Sequence, residues 1–221
     1  IRNKGVVAAS AGNHAQGLAF AAQHFGCEAT IFMPEATPLT KISGVKSYGA
    51  NVVLVGENFD EAYASAKKFA TEHKKEFIHP FADDEVIAGQ GTIALEILEK
   101  IEDMQHIIIP IGGGGLISGV AIAAKAMNPN IKITGVVASG ARGMKDSFEA
   151  RMPIDSASVK TIADGIAVPD VTPKLLDIIL EYVDDVVEVN DNETANAILF
   201  LLEKHKLVVE GAGAVAAAAI M

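Results

Sequence analysis

Along this 221-residue chain the spacing of apolar residues switches repeatedly between two periods. Gly5 to Ala9 is an unbroken small-apolar run of the buried-strand kind. Beyond Asn13, residues Ala15, Leu18, Ala19 and Ala22 recur at i, i+3, i+4 and i+7, one face of a helix. Glu28–Met33 predicts a second strand, Lys41–Tyr48 a helix closed by Gly49, and Asn51–Val55 a third strand. Phe59, Ala62, Tyr63, Ala66, Phe69 and Ala70 stripe the next helix, and Phe77–His79 ends this first half. After Pro80 the pattern predicts a helix over Asp83–Ile101, a strand over His106–Pro110, a helix over Leu116–Met127 and a strand over Lys132–Ala138. Arg151–Pro173 has no clean period and reads as loop with short helices. Lys174–Glu181, Val186–Val189 and Glu193–His205 then predict helix, strand and helix, with Asn190 and Glu193 spaced as a capping box, and a last helix runs over Ala212–Met221. Such alternation predicts an α/β fold of open, mostly parallel sheets with helices on both faces. Pro80–Asp84 is the candidate boundary between a smaller unit, 1–81, and a larger one, 82–221.

Half the residues are hydrophobic, enough for a sizeable core. With 18 basic against 28 acidic residues the net charge is −10, which removes the long-range attraction that nucleic acid or an anionic membrane surface requires. A small-molecule partner is expected instead. Ile107–Ala124 is an 18-residue stretch without charge, but it contains Pro110 and four consecutive glycines, so it reads as strand, turn and helix in series, and no membrane span is expected. Cys27 is the only cysteine, which excludes an intrachain disulfide and fits a cytoplasmic protein.

Two turns carry candidate chemistry. In Ile111–Gly119, IGGGGLISG, a strand runs into four glycines and then a helix. Residues without Cβ let successive N–H groups converge at the positive end of that helix, an anion site suited to phosphate. The bland alternative is a tight strand-to-helix connection. A dinucleotide fingerprint fails on spacing: from Gly113 its last glycine falls on Ser118, and from Gly114 its middle one falls on Leu116. No Lys-Ser or Lys-Thr pair follows the glycines, so a Walker loop fails as well. The second turn is VVAASAGNHAQG, Val6–Gly17, in which Ser10, Gly12, Asn13 and His14 stand between a strand end and a helix start, where a carboxylate would suit them. Ordinary capping of that helix by Ser10 or Asn13 is the competing reading.

The order SAGNHAQG (Ser10–Gly17), PFADDEVIAGQGT (Pro80–Thr92), IGGGGLISG (Ile111–Gly119), TIADG (Thr161–Gly165) and EGAGA (Glu210–Ala214) resembles the pyridoxal-phosphate enzymes of fold type II. Within them it resembles the threonine dehydratases and their serine-dehydratase and serine-racemase relatives. The likeness covers the whole chain. It implies pyridoxal 5'-phosphate as cofactor, held through its phosphate by Gly112, Gly113, Gly114, Gly115 and the Leu116 amide. It implies Asn13 at the phenolic oxygen and Glu210 near the ring. Ser10, Gly12, Asn13 and His14 would receive the carboxylate of a small amino-acid substrate. The implied reaction removes the α-proton of L-threonine or L-serine, expels the β-hydroxyl and releases an enamine that hydrolyses to a 2-oxo acid and ammonia. Residues 1–81 would be the small domain with the asparagine loop, 82–221 part of the cofactor-binding domain, and the intact enzyme a homo-oligomer.

In this family the Schiff-base lysine lies upstream of the asparagine loop, in a stretch resembling Ser-Phe-Lys-x-Arg-Gly. None of the 15 lysines here replaces it, since Lys67, Lys68, Lys74 and Lys75 read as charged helix faces. The expectation is an internal fragment with no such catalytic residue, inactive alone. Ser139 stands where some relatives carry an acid for a cation, with Lys145 nearby, so no metal is expected. Racemisation, another β-elimination or β-replacement, and phosphate binding without catalysis stay open as alternatives.

Overall fold

The computed structural model describes residues 4–221, in two compact units that divide between Asp83 and Asp84. The first contains β1 (Val6–Ala9), α1 (Asn13–Phe25), β2 (Ala29–Met33), α2 (Leu39–Lys46), β3 (Asn51–Leu54), α3 (Phe59–Glu72) and β4 (Glu76–Phe77). Its four strands are parallel in the order β3-β2-β1-β4. Alternate side chains of β1 explain why the run is apolar throughout. Val6 and Ala8 pack among Ala15, Ala19, Ile42 and Val45 from α1 and α2, whereas Val7 and Ala9 pack among Ala66 and Ala70 of α3. A strand covered on both faces has no solvent side on which to place polar residues.

The second unit contains α4 (Asp84–Lys100), β5 (His106–Pro110), α5 (Gly115–Met127), β6 (Lys132–Ala138), α6 (Gly143–Ala150), α7 (Pro173–Tyr182), β7 (Asp185–Val189), α8 (Asp191–Phe200) and α9 (Gly211–Ala218). Its sheet is parallel in the order β5-β6-β7. Ile107, Ile109, Ile133 and Val137 face a core completed by α4, α5 and α7, while Val136 and Ala138 face Ala212 and Val215 of α9. The α/β architecture of parallel sheets with helices on both faces is therefore as the hydrophobic pattern predicts.

Two departures have local causes. Helix α6 has no counterpart in the sequence reading, because neither end carries a recognisable signal. Arg142, which precedes its first residue, makes no side-chain cap, and Arg151, which follows its last, stands at φ +55° where a glycine or asparagine is usual. The predicted helix Glu193–His205 is α only as far as Phe200, and then widens to a π turn over Leu201–His205 that Lys206 closes at φ +60°.

At the other end of α8 the capping box is complete. Asn190 Oδ1 accepts the N–H groups of Asn192 at 2.9 Å and Glu193 at 3.0 Å, and the Glu193 carboxylate accepts from Asn190 N–H at 2.7 Å. Asn190→Ala removes the first pair of bonds, and urea denaturation is expected to show a loss of about 1 kcal/mol. Asn190→Asp keeps the acceptor and is expected to unfold at the wild-type midpoint.

Candidate functional site

In the first unit the turn after β1 sits where the order of strands reverses. β2 and β3 lie on one side of β1 and β4 on the other, so the chain leaving β1 enters the crevice that open parallel sheets offer to ligands. Ser10 is fixed by its N–H to the Phe32 carbonyl at 3.1 Å, and its hydroxyl accepts from Gly12 N–H at 3.1 Å. Gly12, in extended conformation, immediately precedes α1 and has no side chain with which to cap it. A Cβ at Gly12 would meet nothing within 4 Å, so the backbone there borders open space. Asn13 is exposed at the first helical position. His14 is half-buried, its Nε2 3.2 Å from the Ile78 carbonyl. Burial above all lowers the His14 pKa below 6.5, with the Ile78 carbonyl and the nearby Asp83 carboxylate pulling the other way.

In the second unit β5 ends at Pro110, and Ile111 is tied to the Val136 carbonyl at 2.8 Å. The four glycines then turn the chain into α5, with Gly114, the residue just before the helix, at φ +97°. Only glycine takes that conformation without strain. Gly113, Gly114 and Gly115 are buried, and the first helical bond at this end runs from Ser118 N–H to the Gly114 carbonyl at 3.0 Å. Among the described residues the amides of Gly112, Gly113, Gly114, Gly115 and Leu116 have no protein acceptor. Buried N–H groups left together at a helix's positive end fit an anion, and a phosphate ester in particular.

Glu210 immediately precedes α9, and its side chain does not cap that helix. It stands apart from the glycine turn in sequence, but one segment touches both. A Cβ on Gly112 would come within 3.0 Å of Ile166 Cα and 3.3 Å of Val168, and a Cβ on Gly165 would lie 3.5 Å from Glu210 Oε1. This strap, built on the TIADG motif, is anchored by Asp191, which accepts from the Thr161 hydroxyl at 2.6 Å and from Ile162 N–H at 3.2 Å. It also rests on Gly211, where a Cβ would lie 2.6 Å from the Ile162 carbonyl. Ile166, Val168 and Asp191 escaped the sequence reading, since nothing local marks contacts made across roughly 30 residues for Asp191 and more than 50 for Ile166 and Val168.

The lysines need one correction. Lys74 and Lys75 follow α3 rather than lie on it. Lys75 is 11% exposed, paired with Glu28 at 2.7 Å and placed 5.7 Å from the centre of the Phe69 ring. It is largely desolvated, contrary to its reading as part of a charged helix face. Among the described residues no cluster of three or more His, Cys, Asp or Glu could hold a metal, and no helix is long and apolar enough to cross a membrane.

Comparison with known proteins agrees with this geometry. The family model described as pyridoxal-phosphate dependent enzyme matches residues 1–221. An L-threonine ammonia-lyase of Thermotoga maritima is 50% identical over 228 residues, covering all of this chain and 55% of its own length. The catabolic L-threonine dehydratase TdcB of Escherichia coli is 41% identical over 220 residues, again covering the whole chain and 67% of its own length. Among solved structures, maize serine racemase superposes with a TM-score of 0.95 at 38% identity, over 99% of this chain and 66% of that one. A processed threonine deaminase isoform 2 of Solanum lycopersicum gives 0.94 at 42%, over 97% and 63%. The chain thus spans a little over half the length of the Thermotoga protein. With a family model matched from end to end and the fold shared, this chain belongs to the pyridoxal-phosphate dependent enzymes of fold type II.

Proposed function

We propose that the whole protein is a pyridoxal-phosphate-dependent ammonia-lyase that converts L-threonine or L-serine to a 2-oxo acid and ammonia. The observation that carries this reading is the set of buried, acceptor-free amides at Gly113–Gly115, on a chain half identical to a threonine ammonia-lyase. In it, the amides of Gly112–Gly115 and Leu116 hold the cofactor's phosphate, Asn13 donates to its ring oxygen, and Glu210 stands beside the ring. Ser10 and the first N–H groups of α1 bind the substrate carboxylate, with Asn13 and His14 fixing its orientation. When bound, the cofactor supplies the electron sink for charge left at the α-carbon. The α-proton and β-hydroxyl together leave as water, and the enamine takes up water to release ammonia. The acid and base that handle these protons decide between elimination and racemisation.

Residues 1–81 act in this reading as the small domain and 82–221 as part of the cofactor-binding domain, in a cytoplasmic homo-oligomer. The lone cysteine supports that location. The close superposition on maize serine racemase favours one second reading, racemisation of serine on the same frame.

The test on this chain is a titration with pyridoxal 5'-phosphate and, separately, with pyridoxal. Binding through the glycine amides is expected to favour the phosphate ester by roughly 100-fold, as several charge-assisted bonds would. Equal affinities would overturn the phosphate assignment. For the longer protein, 2-oxobutanoate and ammonia from L-threonine are expected. Formation of D-serine from L-serine without ammonia would replace the lyase reading by the racemase one.

A further inference from the structure

The segment that carries the chain out of the first unit, Ile78–Asp83, is held by two imidazoles. His79 Nδ1 accepts the N–H groups of Ala82 at 3.0 Å and Phe81 at 3.3 Å. Asparagine and aspartate side chains make the same pair of bonds, two and three residues ahead, when they close a turn. The ring also meets Phe81 edge-on at 4.7 Å and Tyr63 of α3 at 5.9 Å between ring centres. One residue earlier, Nε2 of His14 is the donor to the Ile78 carbonyl.

An imidazole nitrogen accepts only while it carries no proton. His79 must therefore be neutral, with its proton on Nε2, for Nδ1 to accept both amides. Protonating Nδ1 would set an N–H against two others and cancel the turn's bonds at one stroke. We propose that His79 is an acid-sensitive fastener of Ile78–Asp83: the turn is closed while the ring is neutral and opens when Nδ1 takes up a proton.

The groups facing the ring set where this happens. Burial first, then the positive charges of His14 on α1 and Lys67 on α3, hold the His79 pKa below 6.5, while Asp83 of the segment itself works against them. The folded ring thus binds its proton less readily than a free one. The turn's contribution to stability is complete above pH 6.5 and is lost as the pH falls through the lowered value. The fastener needs no cofactor and so stands apart from the lyase reading.

Amide hydrogen exchange of Phe81 and Ala82 in this chain, corrected for the intrinsic effect of pH, reads the turn directly. In the wild type, protection at pH 5.5 is expected to be lower than at pH 7.5, by up to ~10-fold, the most that one imidazole with an open-state pKa near 6.5 can give over that interval. His79→Asn keeps an acceptor that does not titrate, and should protect both amides equally at the two pH values. His79→Phe removes this acceptor, and should lower protection of both amides below the wild-type pH 7.5 level, equally at the two pH values. His14→Gln, in which His79 becomes the only imidazole titrating there, should keep a pH-dependent loss of protection with its midpoint moved up, since the His14 charge no longer lowers the His79 pKa. Wild-type protection that does not change with pH, or the same loss in His79→Asn, would overturn the proposal.

Discussion

Gly119→Ala is expected to destabilise the second unit by roughly 2–3 kcal/mol and to lower its melting temperature by on the order of 10 °C. The added Cβ would lie 2.1 Å from the Ile87 carbonyl oxygen and 2.8 Å from Gly91 N, both backbone atoms of α4. Backbone cannot rotate away as a flexible side chain can, so α4 and α5 would have to separate. The better helix propensity of alanine offsets about 1 kcal/mol of this. Gly91 completes the contact from the other side, with its own Cβ position 3.1 Å from the Gly119 carbonyl. Gly89 provides the control. It lies in the same helix, exposed, with nothing within 4 Å of a Cβ, so Gly89→Ala should raise the melting temperature slightly. Circular dichroism melts of the two variants decide the matter, and a Gly119→Ala protein that melts with the wild type would refute the close crossing of α4 and α5.

The second large effect concerns the ligand. Gly114→Asp is expected to weaken binding of pyridoxal 5'-phosphate by at least about 100-fold, because it places a negative charge among amides that otherwise have only the phosphate to satisfy them. Its structural cost is smaller. Aspartate tolerates positive φ better than most residues, and the nearest atoms to the new Cβ are the Ile179 and Met144 methyl ends at 3.1 and 3.3 Å, with Leu175 Cβ at 3.4 Å. Gly114→Ala carries the same backbone strain without the charge, and separates the two causes. A substantially smaller loss in the alanine variant is the expected result. Equal affinity in wild type and Gly114→Asp would remove the anion site.

These two glycines show what was legible in the sequence. The corner after β5 can be read locally, since an apolar run, four glycines and a new helical stripe all lie within 20 consecutive residues. The role of Gly119 cannot be read so, because nothing near it names Gly91 as its neighbour. The strap is similar: TIADG is visible as a motif, but its anchor Asp191 and its support Gly211 belong to later elements. Lys75 deceived for a related reason, as its position among charged residues hid the Phe69 ring and Glu28 carboxylate that enclose it. Periodicity reports what one element buries, and long-range pairs of single residues leave no periodic trace.

The strand order of the first sheet bears on how the protein is made. Val6 and Val7 pair with Glu76 and Phe77, so β1 is synthesised about 70 residues before its second neighbour. At roughly 5–20 residues per second a ribosome needs about 4–14 s to cover that interval. Through those seconds the nascent polypeptide has a hydrophobic strand with one flank still seeking hydrogen bonds, the state that chaperones shield and that promiscuous pairing exploits.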